Sequence, residues 1–402
     1  MIKALKNPQL LRLWFGQASS SVGDEIYRVG LTWFAVGLMG ANTGYLTAGQ
    51  TASLMLLSFI GGKWADRWQP IKTLVSVDLI RAAIVIIPVA ISYFTEVPMA
   101  VLWGMALSLS ALSAFFDPAV QSIIPTLAKD KELMHSTNGL MSTTIRMARM
   151  VGPAIVGLLS AFIPMIHFFT IDAITFIVSA YCVYSLKKHV PEHPPAHHQQ
   201  SMIDAITSGF KKVRQIPGMS YVFFSRAVTA GTWNLALVIG FALLVHQMTN
   251  GDAKSFGLVM ASYGVGNFAG ALYFGNRPRP RSEFLMYSGY MWLGLGFVCI
   301  GVAPTIPLVM IAAAAGGFSG PMNDLAFIDM AQQKFEVKDL TKVFRLRMAV
   351  ESAATLLCTV TSPWLIKHTS IRAVIIGCGV TWILSGVFGF VLAPQKETII
   401  QQ

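Results

Sequence analysis

Six arginines and a few carboxylates stand inside otherwise apolar stretches of this 402-residue sequence: Arg28, Arg81, Arg146, Arg149, Arg226 and Arg347, with Asp24, Glu25, Asp117 and Glu351. An ionised group in hydrocarbon costs about 2.5–3.5 kcal/mol on insertion scales, so such residues face a partner or a water-filled path. Their spacing suggests the chemistry. Asp24 and Arg28 stand four apart, as do Arg347 and Glu351, and Arg146 and Arg149 stand three apart, so each pair shares a helix face. Two adjacent acids with one arginine a turn away suit a carboxyl that gains and loses a proton, because burial favours its neutral form and the arginine its charged form. Arg28, Arg146, Arg149, Arg226 and Arg347 can neutralise an anionic ligand or act as counter-charges. Tyr27, Trp33, Phe116, Trp233 and the amide of Asn323 offer surface to an amphipathic ligand. Static ion pairs and plain helix packing explain the same residue types, the ion pair above all for Arg347 with Glu351.

The elements that position these groups follow from composition. Only 12% of residues are charged, against about 25% in a soluble domain, and 54% are hydrophobic. The mean hydropathy is +0.58, and the apolar excess runs along the whole chain, which excludes an ordinary soluble enzyme. A bilayer core of about 30 Å needs about 20 apolar residues per helix. Gly, Pro and charged clusters cut the sequence into twelve such spans, near 11–39, 45–62, 72–94, 98–124, 135–163, 165–187, 219–247, 255–276, 283–302, 305–328, 341–366 and 371–393. The expectation is an all-α membrane protein with six-helix bundles at 1–187 and 218–402. They are joined by a polar linker, 188–217, that carries an amphipathic helix over Ile203–Val213.

The 30 Lys and Arg give a net charge of +11, and most fall at one set of span ends. Only Lys254, Lys367 and Arg372 mark the opposite ends, so both termini and the linker are expected in the cytoplasm. The first apolar run lacks a small-residue cleavage site and is expected to be a span, not a signal peptide. Cys182, Cys299, Cys358 and Cys378 form no Cys-x-x-Cys pair. The histidine-bearing linker needs no metal to explain it, and no phosphate-binding loop is present, so neither a metal nor a nucleotide cofactor is expected.

Three stretches carry a family likeness. The first is Gly62-Lys63-Trp64-Ala65-Asp66-Arg67, closing at Lys72, which is similar to the loop signature Gly-x-x-x-Asp-Arg-x-Gly-x-Arg-Arg/Lys of the major facilitator superfamily; Gln69 and Ile71 depart from it. Span five runs Gly139, Ala148, Gly152-Pro153, Gly157 and resembles the glycine-proline motif of the superfamily's drug:proton antiporters, with Ala148 and Val156 in place of two glycines. Small residues at this spacing let helices approach closely, and Pro153 removes a backbone bond. The opening, Asn7-Pro8-Gln9-Leu10-Leu11-Arg12, with Asp78-Leu79-Ile80-Arg81 and Phe116-Asp117-Pro118, resembles the branch of bacterial enterobactin exporters and macrolide efflux proteins.

The resemblance implies the major facilitator fold, with spans one, four, seven and ten lining a cavity. It implies a conformational latch at Gly62, Asp66, Arg67 and Lys72, to which Asp78 and Arg81 are assigned, and a gate in span five. Asp24, Glu25, Asp117 and Glu351 become proton-coupling candidates, and the five arginines with the aromatics and Asn323 become substrate or counter-charge candidates. The leading expectation is a monomeric secondary transporter in a bacterial inner membrane. It would export a small amphipathic molecule, a siderophore or drug-like compound, in exchange for protons, with lipid but no nucleic acid as surroundings. Import of an iron–siderophore or other anionic nutrient is the alternative. A non-transporting sensor or assembly factor ranks below both, because no substantial soluble domain is evident. Asp172, in span six, has no role in this scheme.

Overall fold

A computed structural model describes residues 2–65, 69–128, 130–160, 162–190, 202–275 and 282–392, with no strand among them. A short turn at Ile2–Leu5 precedes α1, Pro8–Met39. Asn7 caps α1 by accepting from the Gln9 and Leu10 amides at 3.0 and 3.3 Å, and Pro8 takes the first position, where its missing N–H costs nothing. Gly40, at φ +55°, ends it. The first half continues with α2, Thr43–Ala65; α3, Pro70–Ser92; α4, Met99–Leu127; α5, Lys131–Leu159; and α6, His167–Tyr184. The amphipathic helix is α7, Met202–Gln215. Beyond it come α8, Met219–Thr249; α9, Ala253–Gly275; α10, Ser282–Val302; α11, Ile306–Lys334; α12, Val337–His368; and α13, Ile371–Leu392. Within α8, Asn234–Gly240 is π-helical. Asn250, at φ 51°, turns the chain out of α8. Twelve long helical stretches and one amphipathic helix among the described residues therefore stand where the sequence predicts them. Among the described residues, eight stretches are apolar and long enough to cross a membrane.

The chain forms two compact units, Met1–His198 with Gly251–Ala261, and Gln199–Asn250 with Ser262–Gln402. In the first, α6 packs on both α1 and α3. It buries Phe168, Phe169, Phe176 and Val183, two clusters of apolar side chains sharing this helix. In the second, Met219, Phe223, Tyr287, Tyr290, Phe327 and Leu346 form a core that also takes in Val213 of α7. Gly209 seats α7 against α12, where a Cβ would lie 2.7 Å from the Lys342 carbonyl. Large apolar side chains such as Phe94, Phe162 and Tyr181 point outward, the polarity expected when the surrounding solvent is lipid.

Candidate functional site

Each unit gathers one cluster of membrane-embedded charge. In the first, α1 supplies Asp24, Glu25, Tyr27 and Arg28. The spacing allowed Arg28 to pair with Asp24, but the structure pairs it with Glu25, three residues away in place of four. Arg149 of α5 approaches the same carboxylate from a second helix, its Nε 3.8 Å from Oε1. Glu25 is buried, and Gly152 of α5 makes room for it, since a Cβ there would stand 2.5 Å from the Glu25 Cβ. Asp24, one residue earlier, is exposed, as is Asp117 of α4.

Arg81 of α3 is buried deep between helices. Its guanidinium donates to Ser113 Oγ at 2.8 Å, covers the Phe116 and Phe176 rings at 4.5 and 5.5 Å, and stands 3.7 Å from the Asp78 carboxylate. Asp78 is fully buried as well. Asp78 and Arg81, assigned from sequence to the loop latch, thus sit inside the helix packing, because the aromatic pair and Ser113 hold the guanidinium there. Of the latch itself, Lys72 is exposed at the start of α3; Asp66, Arg67 and the surroundings of Gly62 lie outside the described residues. So do the side chains of Arg146 and Pro153. Gly139 is half-buried and Ala148 buried along α5. Gly157 meets the first turns of α9, where a Cβ would lie 2.6 Å from the Ala261 Cβ. Trp33 stacks on Phe256 of that segment, centroids 4.9 Å apart and planes 17° from parallel. Tyr27 leans on Phe169 at 5.8 Å.

In the second unit four charges close a ring. Arg226 of α8 donates from Nε to Glu351 Oε1 at 2.9 Å and from Nη2 to Asp324 Oδ1 at 2.8 Å. Arg347 reaches the same two oxygens, at 2.8 and 3.3 Å. Phe327 lies under both guanidiniums, at 5.4 and 4.7 Å. The four-residue spacing of Arg347 and Glu351 marks one edge of the ring, whereas Arg226 joins it from 125 residues away. Phe327 and Phe176 were not among the residues singled out from sequence, although Phe327 stands three residues beyond Asp324 on the same face. Trp233 Nε1 donates to the Tyr263 hydroxyl at 3.0 Å, and Asn323 is buried against Gly289. No cluster of His, Cys, Asp and Glu fit for a metal ion occurs among the described residues.

An all-helical, multi-pass chain with charge clusters inside its spans has the build of a membrane transporter. Residues 2–338 match the family of transmembrane secretion effectors within the major facilitator superfamily, and the chain belongs to that family. It is a transporter of small molecules and not an enzyme. The multidrug efflux pump Tap of Mycolicibacterium fortuitum is 23% identical over 326 residues, covering 78% of each chain. The staphyloferrin A transporter of Staphylococcus aureus is 23% identical over 257 residues, covering 62% of this chain and 63% of that one. The crystal structure of the nucleoside transporter NupG superposes with a TM-score of 0.69 at 11% identity, over 96% of this chain and 99% of that one, a likeness of fold.

Proposed function

We propose that this transporter exports a small amphipathic compound, siderophore or drug-like, in exchange for protons, by alternating access of two six-helix bundles. In this reading it is a monomer of the bacterial inner membrane with both termini and the linker in the cytoplasm. The observation that carries the proposal is Glu25: a buried carboxylate held by arginines from two helices and seated on the glycine of the gate motif. Protonating Glu25 removes the charge that holds both. Arg149, its side chain 71% exposed, holds by a link worth about 0–1 kcal/mol and is the part that lets go. The likeness to an efflux pump supports the outward direction. Counterflow in proteoliposomes tests the coupling. Transport should respond to an imposed pH gradient and lose that response in Asp24→Asn with Glu25→Gln; uptake indifferent to both removes the proton from the account.

The exposure of Arg149 favours a second reading, import of an anionic nutrient neutralised there. A deletion strain separates the two. Failure to use a supplied siderophore marks an importer, and accumulation of the compound in the cytoplasm marks an exporter.

A further inference from the structure

Asp172, in the second turn of α6, is fully buried, and its Oδ2 meets no hydrogen-bond donor. Its Oδ1 lies 3.4 Å from the hydroxyl of Thr175, which also donates to the Asp172 backbone carbonyl at 2.8 Å. Arg81 is in electrostatic range but is already engaged by Ser113, two aromatic rings and Asp78. Asp24 and Asp78 act on Asp172 as well. Two fully buried acids, Asp78 and Asp172, thus draw on one arginine inside the bilayer, where an uncompensated carboxylate costs several kcal/mol. The other charges near this cluster, Glu25 of α1, Asp117 of α4 and Arg149 of α5, act on Asp24. Within electrostatic range of Asp172 stand Asp24 and Tyr27 of α1 and Asp78 and Arg81 of α3, with Thr175 of α6 beside it.

Two independent features give Asp172 an outlet. The Tyr27 hydroxyl is buried without a hydrogen-bond partner and within electrostatic range of both Asp172 and Asp24. Gly23, next to Asp24, is the gap through which the carboxyl reaches α1: a Cβ there would lie 2.6 Å from Asp172 Oδ1 and would overlap the Thr175 hydroxyl.

We propose that Asp172 holds an exchangeable proton and trades it with the exposed Asp24 past Gly23, with the Tyr27 hydroxyl as the relay. Neither Tyr27 Oη nor Asp172 Oδ2 has a hydrogen-bond partner in this structure, so the transfer requires Tyr27 Oη to close on both acids: the Asp172 carboxylic O–H then gives its proton to Tyr27 Oη as Tyr27 gives its own to the Asp24 carboxylate. One proton moves, Tyr27 ends unchanged, Asp172 becomes the carboxylate and Asp24 the acid. This deepens the proton-coupled reading above and rests on it for its use in transport, while the test reads the proton with neither substrate nor gradient present.

Infrared spectra of the detergent-purified full chain provide that test. Near neutral pH the wild type should show the carbonyl stretch of a protonated carboxylic acid that shifts in heavy water. Asp172→Asn should remove it and Asp24→Asn should keep it. Tyr27→Phe should retain the band but slow its deuterium shift by about 10²-fold, the lower end of what a positioned proton-transfer group supplies. That variant decides the matter if Asp172→Asn does not fold. A band that survives Asp172→Asn, an absent wild-type band, exchange at the wild-type rate in Tyr27→Phe, or a band abolished by added Na⁺ at constant pH each overturns the proposal. An intact band in a protein whose transport ignores pH gradients overturns the antiport reading alone.

Discussion

Removing the Arg226 side-chain charge with Arg226→Gln should unbalance the ring in the second unit, and the structure sets the size of the effect. Stripping one partner from a buried ion pair costs about 3–5 kcal/mol, because the survivor is left buried and uncompensated. Here Arg347 still holds Glu351 at 2.8 Å, and the Asp324 side chain is 54% exposed, so water takes over its share. The loss belongs near the lower limit, about 3 kcal/mol. Asp324→Asn removes the exposed corner and should cost only about 0–1 kcal/mol. Glu351→Gln, which takes away the acceptor common to both arginines, should fall with Arg226→Gln. Apparent melting of the purified variants, ranked at one detergent and pH, checks the order. If Asp324→Asn destabilises as much as Arg226→Gln, or if Arg226→Gln leaves melting unchanged, the reasoning from burial fails.

Gly152→Ala drives a methyl into the Glu25 side chain and should cost about 1–3 kcal/mol, with transport falling further than stability because Glu25 is displaced from Arg149; melting and counterflow on one preparation separate the two losses. The Lys212 ammonium, bonded to Asp339 at 2.9 Å, and then Lys342 at 3.2 Å, hold that carboxyl below the usual carboxylate range. A depressed carboxyl stabilises the fold above its ordinary value near about 3.9 and loses that contribution as pH falls toward the folded value. The melting difference between wild type and Asp339→Asn should therefore be constant above about pH 5 and close below about pH 4; a gap that persists in acid contradicts this. Trp233→Phe deletes the bond to Tyr263 and should cost about 0.5–1.5 kcal/mol, while adding Tyr263→Phe should cost less than the two separate losses combined, which a double-mutant cycle measures.

The twelve spans were legible because hydropathy, proline and glycine mark them over twenty residues at a time. Within one helix the charges were half legible: spacing announced Arg347 with Glu351, but for Arg28 it pointed to Asp24, and the structure pairs it with Glu25. A neighbouring helix made the choice, because Gly152 and Arg149 of α5 stand where only Glu25 is received. Contacts between helices had no trace in the sequence. Arg226 and Glu351, or Arg81 and Phe176, meet only after the bundle forms. Asp172 was visible as an acid in an apolar run, but its meaning depends on Gly23 and Tyr27 in another helix.

The π-helical stretch in α8 has a consequence for how that helix is aligned. In it the Phe241 amide bonds to the Ala236 carbonyl, five residues back in place of four, so the winding accommodates a residue more than an α-helix of the same rise. The surplus fixes the rotational phase of Phe241–Thr249 relative to Met219–Trp233, and with it which flank of the helix each presents. Arg226 lies on the near side of this offset and the buried Phe241 on the far side. Deleting one residue from Asn234–Gly240 would let the helix rewind as α with its two ends close to their present phase, whereas a deletion elsewhere in α8 would turn one end by roughly a hundred degrees, as 3.6 residues per turn requires. Span seven thus has one place where its length can change by a residue while the faces its two ends present stay as they are.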